Sequence, residues 1–236
     1  MRILCVYAHP DDEAFGPSSI LAKYARRGAR IHAVYFTRGE HGNTSVEPRP
    51  GPDELARWRE QDLREVAGLI GMEGVEVRSY GDGSLDQVPH RELEEHVLDA
   101  IRRHQPDIVL TFGPGGITRH ADHIAAHRAA TAAFHRARAA GPGPRELYYD
   151  ALPPERAHRL GIADLPDGRP NTWIDVGETW PVKLEALRRH GRHVADARDR
   201  AAEFAGAPLL VEALHRAWPE VAPGQVLTEL GHGAPP

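Results

Sequence analysis

Two clusters of histidine and acidic side chains in this sequence are of the types that bind metal ions. The first lies in "HPDDE", where His9, Asp11, Asp12 and Glu13 directly follow the apolar run "ILCVYA". Three neighbouring carboxylates repel one another at neutral pH unless a cation or a fixed dipole lies among them. A solvated acidic turn is the alternative, but it does not explain why the cluster follows an apolar run so abruptly. We therefore expect a cation in this turn.

The second cluster lies in "GPGGITRHADHIAAHRA", where His120, His123 and His127 recur at i, i+3 and i+7 on one predicted helical face. Two imidazoles and a carboxylate form a common set of three zinc ligands that leaves a fourth position for water. His9 and Asp12 of the first cluster are three residues apart on a tight turn and could share such a site. For the second cluster taken alone, a solvated basic helix start is the alternative.

The elements that must position these clusters alternate between short apolar runs and amphipathic segments, which predicts an α/β fold. Predicted strands cover residues 3–8, 30–37, 75–80, 107–112, 145–152 and 171–178. Predicted helices cover residues 18–28, 53–71, 90–106, 119–138, 180–205 and 208–217. The clusters follow the first and fourth strands, and ligands of parallel sheets bind beyond the carboxyl ends of the strands. Both clusters are therefore expected at the same edge of one sheet.

Length and composition narrow the class of protein. The 236 residues suit one large domain, which we place at residues 1–218, followed by a Pro- and Gly-rich arm at 219–236. The formal net charge of −5 gives no basic footprint for nucleic acid. No apolar run approaches the roughly 18 residues of a membrane span, and the start of the chain has no signal-like region. The sequence predicts a cytoplasmic protein without a membrane partner and leaves a homo-oligomer open.

With both motifs in hand, "AHPDDEAFG" followed later by "GGITRHADHIAAHRA" resembles the PIG-L/LmbE family of zinc-dependent N-acetylglucosamine deacetylases. The likeness covers residues 1–150 in motif order and spacing, and the segment 53–71 also resembles the family's helix. It implies an α/β fold with a Rossmann-like, mostly parallel sheet, helices on both faces and a single domain. "HADH" departs from the family's His-Pro-Asp-His, and "TR" at Thr118 and Arg119 and "SS" at Ser18 and Ser19 also differ, which affects specificity more than the metal site.

The resemblance also implies a division of roles. The residues carried over as metal ligands are His9, Asp12 and His123, holding Zn²⁺, with another divalent metal as the alternative. Asp11 would be the general base for the metal-bound water, and His120 would stabilise the oxyanion or protonate the leaving amine. Asp122 would orient or charge-tune His120, and Arg59 would contact the substrate. Independently of the resemblance, Glu13 is expected to cap or support the next helix and to orient a metal ligand from behind.

This division suits amide hydrolysis, because an amide is a poor electrophile. Its hydrolysis needs a Lewis acid on the carbonyl and a water of lowered pKa, together with a base and an acid within reach. The leading hypothesis is a zinc-dependent hydrolase that removes an N-acetyl group from an amino sugar or its small-molecule conjugate. The alternatives are a metal-dependent hydrolase of another amide or ester, and a non-enzymatic Rossmann-like binding module with a structural metal.

Overall fold

The computed structural model describes residues 1–159, 169–206 and 210–231, whose strands form one seven-stranded sheet. The strands are β1 (Arg2–Tyr7), β2 (Arg30–Thr37), β3 (Gly74–Tyr80), β4 (Ile108–Thr111), β5 (Glu146–Asp150), β6 (Thr172–Asp175) and β7 (Val211–Trp218). They are ordered β3-β2-β1-β4-β5-β7-β6. Strands β1 to β5 pair in parallel, whereas β7 runs antiparallel to both β5 and β6. The sheet is therefore mostly parallel.

The order of the strands creates a switch point beside β1. Strand β1 pairs with β2 on one side, where Ile3 lies opposite Ile31, and with β4 on the other, where Ile3 lies opposite Ile108. The chain runs outward from β1 to β3 and then crosses back to β4. A crevice opens at such a point beyond the carboxyl ends of the strands. The loops that follow β1 and β4 therefore face the same crevice.

Helices cover both faces of the sheet. The longer helices are α2 (Ser18–Arg26), α3 (Pro52–Ile70), α4 (His90–His104), α6 (Ala121–Ala139), α8 (Trp180–His190) and α9 (Ala195–Gly206). Three short helices are α1 (Asp12–Phe15), α5 (Gly116–Arg119) and α7 (Pro154–Arg159). Helices α2, α3 and α8 contact one another, and α4 packs on α6. Right-handed crossovers place the two groups on opposite faces, which confirms the predicted fold class.

The predicted helix over residues 208–217 is wrong, because residues Val211–Trp218 form β7. Ala, Leu, Glu and Arg favour a helix locally, but the segment hydrogen-bonds between β5 and β6, and this tertiary pairing overrides the local preference. The predicted helical region 180–205 also divides into α8 and α9. None of the helices in the described part of the chain has the length and apolar character needed to cross a lipid bilayer.

The described part of the predicted C-terminal arm, residues 219–231, lies against the sheet. The Trp173 amide donates to the Leu227 carbonyl at 2.7 Å. Further along, the Leu230 amide bonds the Tyr24 hydroxyl at 2.6 Å, and the Gly231 amide bonds Glu146 Oε2 at 3.0 Å. Residues 232–236 lie outside the described residues. As far as the structure describes it, the arm is tied to the domain and is not a free extension.

Candidate metal centre and active-site cavity

The switch point brings the two sequence clusters together. His9, Asp11 and Asp12 lie in the turn after β1, and His120 and His123 lie at the start of α6. His123 Nε2 is 3.2 Å from His9 Nδ1 and 3.2 Å from Asp12 Oδ1, and His9 Nδ1 is 3.7 Å from Asp12 Oδ2. Tetrahedral zinc with bonds of about 2.0–2.1 Å separates its ligand atoms by roughly 3.3–3.4 Å. The side chains fit a divalent metal in both type and spacing.

Hydrogen bonds behind these side chains leave their lone pairs facing one another. His123 Nδ1 donates to the Gly116 carbonyl at 2.9 Å, which leaves Nε2 as an acceptor. His9 Nε2 donates to Asp122 Oδ2 at 3.1 Å, which leaves Nδ1 as an acceptor. Asp12 Oδ2 accepts the Ala8 and His9 amides at 3.1 and 2.7 Å, and its Oδ1 faces His123. Metal-binding histidines are commonly held in this way through their second nitrogen.

The electrostatics of the pocket favour positive charge. Burial opposes the ionised form of Asp12, but His123 and His9 outweigh it and hold the pKa of that carboxyl well below its usual range. Burial also opposes the charged form of His9, which by itself would lower the pKa of this imidazole. Hydrogen bonds to Asp12, Asp122 and Asp82 outweigh burial and raise the pKa of His9 well above its ordinary value. A pocket that draws a proton onto a buried imidazole is also suited to a cation.

Asp11 lies next to these side chains and is held by Arg59. Nη2 of Arg59 donates to Asp11 Oδ2 at 2.8 Å and to the Pro10 carbonyl at 2.6 Å, and Nη1 donates to the Gly39 carbonyl at 2.5 Å. Burial raises the pKa of Asp11 to about 6 despite this guanidinium group. Arg59, the predicted substrate contact, is among the residues that line the cavity, and its terminal nitrogens are directed at the acidic turn and at two carbonyls.

Glu13 is fully buried and contacts the turn from behind. Its Oε1 lies 2.6 Å from His190 Nε2, and its Oε2 accepts the Tyr35 hydroxyl at 3.0 Å. Oε2 also accepts the Asp11 amide at 3.3 Å. This last hydrogen bond joins Glu13 to the backbone of Asp11.

His120 packs between the other two histidines, with ring centroids 4.8 Å from those of both His9 and His123. Its Nδ1 accepts the Asp122 amide at 3.2 Å, so the ring proton lies on Nε2. Burial lowers the pKa of His120, and His9 and His123 lower it further, outweighing the opposite influence of Asp122. The ring is therefore a neutral hydrogen-bond donor.

Asp122, predicted to orient or charge-tune His120, contacts that ring through its backbone amide, while its carboxylate has other partners. That carboxylate accepts the Gly83 and Leu85 amides at 2.7 and 2.9 Å and the Nε2–H group of His9 at 3.1 Å. Only the backbone amide of Asp122 reaches His120. The side chain turns inward because the first turn of α6 packs on the loop after β3, whose amides point at it.

Two further residues of the site were missed from the sequence. Asp82 Oδ1 lies 3.1 Å from His9 Nε2, and its Oδ2 accepts the His41 amide at 2.9 Å. Its place in "YGDG", directly after a predicted strand, was a usable signal. His190 gave no local signal. His127, the third histidine of the predicted helical face, donates its Nδ1–H group to the Phe112 carbonyl at 2.8 Å and packs on Tyr149.

Backbone conformation at Gly116 fixes His123. Gly116 has φ of +64°, and a Cβ there would lie 2.9 Å from the Cβ of His123. Ile117 follows with φ of +63°, an unusual value for a β-branched residue. Strained backbone of this kind is typical of functional sites, where the surrounding structure holds it in place.

A cavity of about 450 Å³ opens in front of the candidate metal ligands. The acidic turn and the three histidine rings form one end. Apolar side chains contribute much of the remaining wall, among them Phe15, Ile117, Leu152, Pro153, Val194 and Leu214. The cavity has room for a group much larger than an acetamide beside the polar end.

Fold and site together define an α/β protein with a pocket of histidine and aspartate, able to hold a metal ion, at the switch point of its sheet. The model of the family PIG-L, described as GlcNAc-PI de-N-acetylase, matches residues 4–134. The chain belongs to this family. The predicted family is thus confirmed, and with it the prediction of a hydrolase of the deacetylase type.

Known relatives agree with this assignment. A 1D-myo-inositol 2-acetamido-2-deoxy-alpha-D-glucopyranoside deacetylase of Salinispora arenicola is 27% identical over 241 residues, covering 83% of this chain and 77% of that protein. The fold is similar to that of the N,N'-diacetylchitobiose deacetylase of Pyrococcus horikoshii, with a TM-score of 0.67, 22% identity and coverage of 91% and 83% of the two chains.

The fold alone does not specify the reaction. A 4-carboxy-2-hydroxymuconate hydratase of Pseudomonas putida KT2440 has a TM-score of 0.74 with 21% identity, covering 93% of this chain and 97% of its own. The reaction must therefore be argued from the side chains of the site and not from the sheet that carries them.

Proposed function

We propose that this protein is a zinc-dependent deacetylase that hydrolyses the N-acetyl group of an amino sugar within a small-molecule conjugate. The observation that carries the proposal is the division of labour between Asp12 and Asp11. Asp12 directs Oδ1 at His123 and lies beside His9, whereas Asp11 is turned onto Arg59. A catalytic zinc site has three protein ligands and an open position, and a carboxylate beside it is placed to act as a base.

The proposed ligands are His9, Asp12 and His123, because their free lone pairs converge. His120 also lies close enough to share a cation with His9 and His123, but its Nδ1 already accepts the Asp122 amide. Zinc at these ligands would supply Lewis acidity for the amide carbonyl and lower the pKa of water. Another divalent metal of similar ligand preference would supply the same chemistry.

Asp11 is the proposed base and proton carrier. It accepts a proton from water as the water oxygen bonds to the amide carbon. It then returns that proton to the nitrogen as the carbon–nitrogen bond breaks, giving acetate and a free amine. A carboxyl whose pKa lies nearer neutrality than usual is suited to both steps, and burial raises that of Asp11 to about 6. Arg59 keeps its carboxylate oriented.

His120 is the proposed donor to the oxygen of the amide. Its Nδ1 accepts a backbone amide, so its Nε2–H group is available to the negative charge that develops on the carbonyl oxygen. We propose the oxyanion role for His120 rather than protonation of the amine; the family resemblance leaves both roles open. A neutral imidazole suffices for the oxyanion, whereas an acid needs a second proton.

The substrate class follows from the family and from the cavity. The relatives named above act on N-acetylated glucosamine conjugates according to their names. A cavity of about 450 Å³ admits a sugar together with part of a second group. We infer that the acetamido group meets the histidines and the remainder of the conjugate lies along the apolar wall.

The test is a panel of N-acetyl amino sugar conjugates assayed for free amine, with O-acetyl analogues as the second arm. Protein stripped with a chelator should lose turnover, and one equivalent of Zn²⁺ should restore it. Acetate and amine should appear in equal amounts. Release of acetate from the O-acetyl analogues alone would favour an esterase, and activity that survives complete stripping would reject the metal-dependent proposal.

A further inference from the structure

Helix α8 places two buried polar side chains against the acidic turn. Lys183 and His190 are seven residues apart, hence on the same helical face, and are 1% and 0% exposed. Both reach the short helix α1 that carries Asp12 and Glu13. Helix α8 lies outside residues 4–134, the range that the family model matches, so no motif of that match accounts for these contacts.

His190 holds the start of the turn through Glu13. The imidazole and Oε1 of Glu13 are 2.6 Å apart, with both side chains 0% exposed. A carboxylate buried in this way needs a partner that can carry positive charge, and the imidazole of His190 lies within ion-pair distance of Glu13. The second oxygen of Glu13 then accepts the Asp11 amide.

Lys183 holds the end of the same turn. Its ammonium group donates to the carbonyl of Phe15 at 3.2 Å and to that of Gly16, and it pairs with Glu212 Oε1 at 2.8 Å. A cation at the last carbonyls of a helix is favourable. Helix α8 therefore contacts the turn at both ends.

Asp11 requires such support because its backbone is strained. Its φ of +123° lies in a region that L-residues rarely adopt. By contrast, Asp12 is oriented by the amides of Ala8 and His9, which are independent of Glu13. The contacts that orient the base are therefore separate from those that orient the metal ligand.

We propose that His190 is a positioning residue for Asp11, acting through the Glu13 carboxylate that accepts the Asp11 amide. This inference rests on the proposed function, in which Asp11 is the base. Loss of His190 should displace Asp11 and slow the chemical step while leaving metal affinity intact.

The first experiment does not depend on activity. Amide hydrogen exchange is followed by NMR in the full chain and in His190→Gln. The Asp11 amide should exchange at least about tenfold faster in the variant, as expected when a local hydrogen bond is lost. The Ala8 and His9 amides should keep their protection. The matched control is His193→Gln, which removes a histidine paired with Asp62 at 2.5 Å just beyond α8, and it should leave the Asp11 amide unchanged.

The second experiment measures kinetics and metal affinity of the same proteins. In His190→Gln, kcat should fall on the order of tenfold, while KM and the dissociation constant for Zn²⁺ change less than about twofold. Because His190 acts through Asp11, adding His190→Gln to Asp11→Asn should lower the residual rate no further. An equal fall in both backgrounds would overturn the proposal, as would a loss of Zn²⁺ affinity that accounts for the fall in kcat.

Two outcomes keep the inference separate from the proposed function. If the wild-type chain hydrolyses no N-acetyl amide, the proposed function fails, but the exchange of the Asp11 amide still tests the positioning. If His190→Gln does not fold, His190→Gln with Glu13→Gln removes the buried charge together with its partner. That double variant should fold with faster exchange at Asp11, and unchanged exchange in it would refute the role of His190.

Discussion

Asp122 offers the sharpest test of how the candidate metal centre is built. Its carboxylate is buried and accepts three hydrogen bonds, two at Oδ2 from Gly83 and His9 and one at Oδ1 from Leu85. Asparagine has the same shape but only one acceptor atom. If its oxygen takes the place of Oδ2, its amide group faces the N–H of Leu85. If it takes the place of Oδ1, the amide group faces both Gly83 and His9.

The first orientation of asparagine loses fewer hydrogen bonds, so we use it to estimate the losses of folding stability and of Zn²⁺ affinity. One buried donor is left unsatisfied, which costs about 1–3 kcal/mol of folding stability. His9 keeps its hydrogen bond but loses the negative charge behind it. Removing such an outer partner typically weakens metal binding 10–100-fold, and we expect Asp122→Asn near the lower limit, about 10-fold or 1.4 kcal/mol. Asp122→Ala also removes the hydrogen bond to His9, so we expect it to weaken Zn²⁺ binding about 100-fold.

The assay is a competition between stripped protein and a chromophoric chelator for Zn²⁺, alongside urea unfolding of the stripped proteins. The control is Asp62→Asn, which alters another buried aspartate that bonds a histidine, His193. It should lose stability but keep the wild-type affinity for Zn²⁺. This role of Asp122 would be refuted if Asp122→Ala bound Zn²⁺ as tightly as wild type, or if asparagine weakened binding more than alanine did. Either result would mean that the contact of Asp122 with His9 does not set the Zn²⁺ affinity.

Further variants separate the remaining roles. Asp11→Asn should keep metal affinity near wild type and lower kcat on the order of 10²- to 10⁴-fold, whereas Asp12→Asn should lower Zn²⁺ affinity. Metal content and initial rates measure both effects, and similar behaviour of the two variants would refute the division of roles. Gly116→Ala forces a Cβ to 2.9 Å from that of His123 at φ of +64°, so Zn²⁺ affinity should fall at least about tenfold. The control is Gly51→Ala, because a Cβ at Gly51 meets nothing within 4 Å. Arg59→Lys should lower kcat roughly tenfold with little change in KM, because a lysine cannot reproduce the two-nitrogen contact. A rise in KM alone would instead indicate that Arg59 contacts the substrate.

Much of the fold could be predicted because the central strands are short, apolar and bounded by turn residues. The second strand, Arg30–Thr37, has the predicted limits, and the first and third differ from prediction by a single residue at each altered end. Strands β1 and β2 are mostly buried within a parallel sheet, where an apolar run is the expected pattern, whereas β3 is a partly buried edge strand. The segment Val211–Trp218 could not be predicted, because its strand conformation depends on partners distant in sequence.

The proximity of the candidate metal ligands was predictable for a different reason. His9 and Asp12 share one turn, His120 and His123 share one helix start, and parallel topology alone places both beyond the strand ends. The partners of these residues could not be inferred in the same way. Asp82, Arg59 and His190 reach the site from the loop after β3, from α3 and from α8, and a sequence pattern does not show which long side chain meets which.

The contacts also revise the physical reason for three adjacent carboxylates. The sequence suggested that one cation relieves their repulsion, but the structure gives each carboxylate separate partners. Asp11 pairs with Arg59, Glu13 pairs with His190, and Asp12 faces the candidate ligand histidines. Because Arg59 and His190 already compensate two of the charges, a metal at Asp12 need not draw in the others. Asp11 can then remain beside the metal with an oxygen available for a proton, which is the condition that the proposed hydrolysis requires of its base.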